Sequence, residues 1–257
     1  MKMTIIGAGN LGLSLANGIK TNNLTKNKIT ITRKNSKFSD QEITDFDCQN
    51  DNSEAIRNAD IVVLAVRPNQ LETLAEEIKI KTNQLIISVI TGATIEKLEK
   101  LFGSDLKIAR VMPNVALSTS NSMTCMTFNK KGFVSKNEVE EIFGSLGKTL
   151  LIEEKMFPQA TVLCGSGVAI VARFIRALMQ SGIQSGFNEN HSLQMAIQVI
   201  KGTAILLENG KHPEVLIDDV TTPGGCTIAN LAELEHCGFT SAVLKGTKAG
   251  LEKAITL

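Results

Sequence analysis

From Met1 to about Glu154 the chain alternates short apolar runs with longer stretches in which apolar residues return every three or four positions. The runs Met3–Ile6, Ile29–Thr32, Ile61–Val66, Leu85–Val89, Ile108–Met112, Met123–Phe128 and Thr149–Ile152 read as strands. Several are apolar throughout rather than alternating, the pattern of strands covered on both faces in a parallel sheet. Between them Leu11–Lys20, Ser53–Asn58, Gln70–Ile80 and Thr94–Phe102 read as helices, and the polar stretch Gln49–Glu54 reads as a loop. Strand and helix in alternation predict an α/β fold, with a Rossmann-like doubly wound sheet over residues 1–154.

Beyond Glu154 the strand signals stop. Val168–Gly186 is apolar nearly all round, and Leu193–Leu207 is close to it, with Gly202 inside where only tight helix packing would offset a penalty of about 1 kcal/mol. Pro213–Ile217, Thr227–His236 and Ser241–Ile255 continue the helical pattern. Residues 155–257 are therefore expected to form an all-α domain. Helices this apolar cannot cover themselves, which predicts that they interlock with a second copy in a homodimer.

Composition narrows the chemistry. With 27 basic and 26 acidic side chains in 257 residues, the net charge of +1 gives no long-range attraction for a nucleic acid or a membrane surface. There are ten Phe but no Tyr and no Trp, which removes tyrosine acid–base chemistry and weakens any base-stacking site. The five cysteines, Cys48, Cys125, Cys164, Cys226 and Cys237, form no CxxC pair, and His191, His212 and His236 stand apart. No metal site is expected, and a reducing, cytoplasmic compartment is. The apolar stretch before Gly7 is too short for a signal-peptide core, and the most apolar helix carries Arg173 and Arg176, so no membrane span is expected.

Gly7-Ala8-Gly9-Asn10-Leu11-Gly12 follows the first strand and opens the first helix. In that setting Gly7 serves a tight turn, Gly9 lets a pyrophosphate approach the backbone, Gly12 permits close helix packing, and the helix N-terminus faces the phosphates. A dinucleotide site is the expected reading. Where an NAD site carries an acid at the end of the second strand, this chain has Thr32-Arg33-Lys34-Asn35-Ser36. The cations Arg33 and Lys34 suit a 2′-phosphate, so NADP(H) is expected, with NAD(H) as the weaker alternative. Ala65-Val66-Arg67-Pro68 and Arg110-Val111-Met112-Pro113-Asn114 end two further strands, and either is a ligand-facing segment or ordinary strand-to-loop punctuation. Thr222-Pro223-Gly224-Gly225-Cys226-Thr227 is either a turn with a helix cap or a backbone receptor for a small carboxylate.

Taken in order, these stretches, with Ala59-Asp60-Ile61, Gly165-Ser166-Gly167 and Leu234-Glu235, resemble the pyrroline-5-carboxylate reductase family over nearly the whole chain. The resemblance implies NADPH-dependent reduction of L-1-pyrroline-5-carboxylate to L-proline, the last step of proline biosynthesis. It implies that Gly7, Ala8, Gly9, Asn10, Leu11 and Gly12 hold the pyrophosphate and that Asn52 lies near the adenosine ribose. Ala65, Val66, Arg67 and Pro68, with Thr91 and Gly92, would line the cleft towards the nicotinamide. Thr222, Gly224, Gly225, Cys226 and Thr227 would bind the substrate carboxylate, with the Thr227 hydroxyl beside the ring nitrogen as the catalytic group. Intertwined dimers, in some members joined into rings, are implied as well.

The chain also departs from the family pattern. Gly-Ser-Gly-Pro-Ala-Tyr becomes Gly165-Ser166-Gly167-Val168-Ala169-Ile170, Val115-Ala116 replaces a common Thr-Pro, and Cys226 replaces another small residue. These changes keep two alternatives open: a related NADP-dependent imine or keto-acid reductase, and a non-catalytic nucleotide-sensing protein.

Overall fold

Strand β1 (Met3–Ile6) is buried at all four positions, as an unbroken apolar run requires. The computed structural model describes residues 1–26, 28–34 and 37–256; Asn35 and Ser36 of the expected phosphate-reading segment lie outside them. The chain divides into two compact units, Met1–Gly165 with Lys253–Leu257, and Ser166–Glu252.

The first unit is built on one sheet of eight strands in the order β3-β2-β1-β4-β5-β6-β7-β8. After β1 these are β2 (Thr30–Thr32), β3 (Asp47–Gln49), β4 (Ile61–Leu64), β5 (Leu85–Ser88), β6 (Lys107–Met112), β7 (Ser122–Phe128) and β8 (Gly147–Leu151). Neighbours from β3 to β6 are parallel, with Ile5 opposite Ile31 on one side and Val63 on the other. β7 runs antiparallel to β6, and β8 follows β7. The expected parallel sheet therefore reverses at its far edge. The link from β6 to β7, residues 113–121, holds only a 3-10 turn and is too short to cross over the sheet.

Among the described residues, seven helices accompany the sheet: α1 (Asn10–Thr21), α2 (Asp40–Asp45), α3 (Asn52–Ala55), α4 (Leu71–Glu77), α5 (Ile95–Phe102), α6 (Lys136–Gly144) and α7 (Phe157–Ala160). Side chains alternate between two cores, as strand periodicity dictates. Ile5, Ile31 and Val63 pack with Leu15 and Ile19 of α1 and Phe143 of α6. Ile6, Val62 and Ile86 pack on the other face with Leu71 and Leu74 of α4 and Leu98 of α5. The polar stretch expected as a loop is not one. Gln49 ends the edge strand β3, and Asp51 caps α3 by accepting from Ser53 N and Glu54 N at 2.8 and 3.0 Å.

The start of the long helical run is tied to the sheet by Arg110 of β6. Its guanidinium donates to Glu154 Oε1 at 2.8 Å and lies 4.3 Å from the centre of the Phe157 ring, while Ile95 N donates to the same carboxylate oxygen at 2.7 Å. Arg110 is 9% exposed, so this segment is a structural clamp on α7 and α5.

From α7 the helix continues through a π-helical segment, Thr161–Ser166, into α8 (Gly167–Gln184). Gly165-Ser166-Gly167 is thus inside a continuous run, and Val168 does not stand at a helix start. α9 (Glu189–Glu208), α10 (Pro213–Asp219), α11 (Cys226–His236) and α12 (Phe239–Ile255) follow. Among the described residues α8, α10, α11 and α12 bury none, and α9 buries only Ser192 and Ala196. Within this chain nothing comes within 4 Å of a Cβ placed on Gly202, and the close approach of α8 and α9 falls at Gly182, where a Cβ would stand 2.7 Å from Ser192 Oγ. By length and composition the run Glu154–Gln184 is apolar enough to cross a membrane, with Arg173 and Arg176 inside it.

Arg110→Ala removes a buried charged hydrogen bond and its ring contact, and should cost about 2–3 kcal/mol in chemical denaturation. An unchanged midpoint would show that Glu154 and Phe157 hold the helix without it.

Candidate functional site

Strand order 3-2-1-4-5 reverses direction between β1 and β4, and the carboxyl ends of those strands are where a doubly wound sheet opens a crevice. Gly7 leaves β1 with φ +99°, and Gly7 N and Ala8 N both donate to Thr32 O at 3.2 and 2.8 Å. A Cβ on Gly7 would stand 2.7 Å from the Ala65 carbonyl, and one on Gly12 would collide with the Gly7 carbonyl. Both positions therefore demand glycine. Gly9 caps α1 with no side-chain hydrogen bond and faces open space, so the first amides of α1 are presented outward.

A cavity of about 540 Å³ opens at this point. Its walls include Gly7, Ala8 and Gly9 from the first turn, Arg33 and Lys34 after β2, Asn52 at the start of α3, and Ala65, Val66 and Arg67 after β4. Asn10, Leu11 and Gly12 form the first turn of α1 beside it. Pro68 begins the 3-10 turn that leads into α4. Thr91 and Gly92 follow β5 in a turn in which Gly92 has φ +77°, and neither lines the cavity. Gln70, Thr73, Leu74 and Glu77 also line it and were not anticipated from the sequence. Their spacing of three and four residues, one face of α4, was the available signal.

Both cations after β2 reach the cavity already paired. The Arg33 guanidinium gives its Nε and one Nη2 hydrogen to Ala8 O at 3.0 and 2.8 Å, an Nη1 hydrogen to Lys37 O at 3.0 Å, and a forked pair to Glu42 at 2.5 and 3.1 Å. All five of its donors are thereby engaged, and Phe38 covers it with the ring centre 4.9 Å away. The Arg33 hydrogen bonds, together with the Ser39 amide, hold Glu42 down at about 2. Lys34 Nζ lies 3.2 Å from Glu77 Oε2. Asn52 Oδ1 accepts from Thr32 Oγ1 at 2.6 Å, which turns its Nδ2 towards Glu77 Oε1 at 3.2 Å.

In the helical unit, Gly225 N donates to Thr222 O at 3.0 Å, Gly224 takes φ +68°, and Gly225 caps α11 without a side-chain bond. Thr222, Gly224 and Cys226 are exposed, and Thr227 is half-buried in the first helical turn. The arrangement repeats that of α1: a glycine cap and uncovered amides at the positive end of a helix. His212 serves locally by accepting from Glu214 N at the start of α10. Burial beside the Cys164 thiol pushes Cys125 up to about 12, so that thiol stays protonated. Among the described residues no three His, Cys, Asp or Glu side chains gather at metal-binding distance.

A family model described as pyrroline-5-carboxylate reductase dimerisation matches residues 154–257, and one described as NADP oxidoreductase coenzyme F420-dependent matches residues 2–92. A protein of Dictyostelium discoideum named pyrroline-5-carboxylate reductase 1 is 37% identical over 272 residues, covering 99% of this chain and 49% of its own length. The chain thus spans about half the length of that relative. Pyrroline-5-carboxylate reductase 2 of the same organism is 37% identical over 276 residues, covering 98% of this chain and 91% of its own. The solved structure of Plasmodium falciparum pyrroline carboxylate reductase with NADP bound has a TM-score of 0.91 at 31% identity, covering 99% of this chain and 97% of that one.

Glu42→Gln should lower the melting temperature at pH 7 by about 2–4 °C, because it breaks the fork that orders Arg33. A carboxyl depressed from 4.5 to about 2 contributes stability above its unfolded value and loses it as the folded form protonates. The difference between variant and parent should therefore shrink between pH 4.5 and pH 2. A difference that does not change across that range would contradict the assignment.

Proposed function

The chain belongs to the pyrroline-5-carboxylate reductase family, and from that premise we propose that it reduces L-1-pyrroline-5-carboxylate to L-proline with NADPH. The observation that carries the reading is the cavity at the carboxyl ends of β1 and β4, walled by the glycine turn, the two cations after β2 and Asn52. These residues suit a dinucleotide. The open space before Gly9 leaves room for a pyrophosphate against backbone amides, which a side chain there would fill.

The bound cofactor supplies a hydride for the carbon of the cyclic C=N bond. Around it, the turn Gly7-Ala8-Gly9, whose own amides are bonded to Thr32 O and Gly7 O, makes room for the pyrophosphate, and Asn10, Leu11 and Gly12 turn their free amides to it. Arg33 and Lys34 supply positive charge at the ribose end, and Asn52 positions the ribose. Ala65, Val66, Arg67 and Pro68, with Thr91 and Gly92, line the way to the nicotinamide.

Substrate recognition belongs to residues 155–257. The amides of Gly224 and Cys226, with the Thr222 hydroxyl, receive the carboxylate at the start of α11, while Gly225, whose amide is bonded to Thr222 O, shapes the turn that presents them. The Thr227 hydroxyl faces the ring nitrogen: its oxygen accepts from the N–H of the protonated imine, and its hydrogen is donated to the lone pair that hydride addition leaves on that nitrogen. A protonated imine needs no stronger acid than this, so a chain without tyrosine is chemically equipped for the reaction.

The exposed apolar faces of α8 to α12 are covered by a second copy of the chain. Ile170, Val171, Val199 and Leu244 are 42 to 66% exposed, and the dimerisation model spans this region. The same contact accounts for the apolar run Glu154–Gln184 without a membrane, in which Arg173 and Arg176 would be costly. Dimers joined further into a ring are the next level of the same reading. Five free thiols suit a reducing compartment, the cytoplasm.

NADPH absorbance should fall when pyrroline-5-carboxylate is added, faster than with a six-membered cyclic imine, ketopantoate or NADH. No consumption by protein that binds NADPH would overturn the reading. Thr227→Ala should lower turnover about a hundredfold with the circular dichroism spectrum unchanged; full turnover would leave Thr227 a helix-terminal residue only. Sedimentation should show dimers at micromolar concentration, and a stable folded monomer there would contradict the covered interface.

A further inference from the structure

We propose that Glu77 is a specificity-determining residue of the cofactor cavity, and that its carboxylate acts against a 2′-phosphate and in favour of a 2′-hydroxyl. The inference rests on the dinucleotide reading of that cavity.

Glu77 ends α4 and forms part of the cavity wall. Three contacts fix it. Its backbone carbonyl accepts from Ser53 Oγ at 2.8 Å, Oε1 accepts from Asn52 Nδ2 at 3.2 Å, and Oε2 meets Lys34 Nζ at 3.2 Å. Asn52 is only 7% exposed, and Thr32 Oγ1 occupies its oxygen at 2.6 Å, so its amide hydrogens have one direction to take. Swinging the carboxylate away would leave that buried amide without its acceptor, which is costly. The negative charge is therefore held in place rather than free to retreat.

Its position matters because the end of β2 is where this fold reads the ribose 2′ group. Arg33 stands there with all five N–H groups engaged by Ala8, Lys37 and Glu42. Lys34, with its side chain 62% exposed and one carboxylate partner, is the cation able to turn to an incoming phosphate. To do so it must be shared with Glu77, and the phosphate must then sit beside a fixed like charge. A 2′-hydroxyl meets the opposite situation, since it can donate to the same carboxylate. The sequence carries no acid at the end of β2, yet the fold brings one to the same place from α4, 43 positions after Lys34.

The test is direct binding of NADPH and NADH to the intact protein by fluorescence titration, before and after Glu77→Gln. Glutamine keeps an oxygen for Asn52 Nδ2 and removes only the charge. NADPH should bind about five- to tenfold tighter and NADH should stay within about twofold or weaken, so that their affinity ratio rises about fivefold or more. A residue that merely holds Asn52 would shift both cofactors alike, and an unchanged or reversed ratio would overturn the proposal. Should Glu77→Gln fail to fold, Glu77→Ala applies the same ratio test. If the parent protein binds neither cofactor, the dinucleotide reading itself fails, an outcome distinct from equal shifts, which would leave that reading standing.

Discussion

The contact of Gly12 with the Gly7 carbonyl, which no side chain at residue 12 could permit, seats α1 directly on the end of β1. That seating aims the amides of α1 at the place where the sheet changes direction. The neighbouring elements are held relative to the same strand. Thr4 Oγ1 of β1 donates to Ala55 O at the end of α3 at 2.8 Å, while Thr32 of β2 fixes Asn52 at its start. The wall opposite the glycine turn is thus positioned by hydroxyls buried in the sheet. A bulkier residue at Gly12 would move α1, and with it every amide that faces the cavity.

Charge around the cavity is organised by pairing. Arg33 and Glu42 form a closed unit that also caps α2 through Ser39, so this cation is as much a clasp between Ala8 and residues 37–42 as a field source. Lys34 and Glu77 form a looser pair at the surface. A near-neutral chain can in this way present local positive charge at one spot without becoming basic overall. The helical unit follows a different economy, with apolar side chains outward on every long helix and two buried residues on α9 alone. Such helices reach a stable state only when another surface covers them.

The sequence displayed most of what burial controls. Continuous apolar runs located seven of the eight strands within a few residues, and the long helices of the second unit stood out by their composition. Elements held by polar contacts were hidden: β3 is three polar-flanked residues on an edge, and α2 buries nothing and rests on a Ser39–Glu42 capping box. The reversal at β7 depended on a loop length rather than on a pattern. At the site, the glycine turn and the cations were legible because local chain geometry dictates them. Glu77 was not, because its place beside Lys34 and Asn52 arises only when α4 packs against the sheet. Arg33 was visible as a cation but not as one whose donors are all engaged. Gly202 shows the same limit from the other side, since a glycine in a helix signals close packing without saying whether the partner is in the same chain.

The central claim is that the crevice between β1 and β4 holds a dinucleotide through the exposed amides at the start of α1. Amide hydrogen exchange of the intact protein with and without saturating NADPH tests it most directly. Slowed exchange is expected at Asn10, Leu11 and Gly12 and after β2 at Arg33 and Lys34, with no change in the separate groove lined by Ile43, Phe46 and Cys48. Protection confined to that groove, or none at Asn10 to Gly12 under saturation, would contradict it.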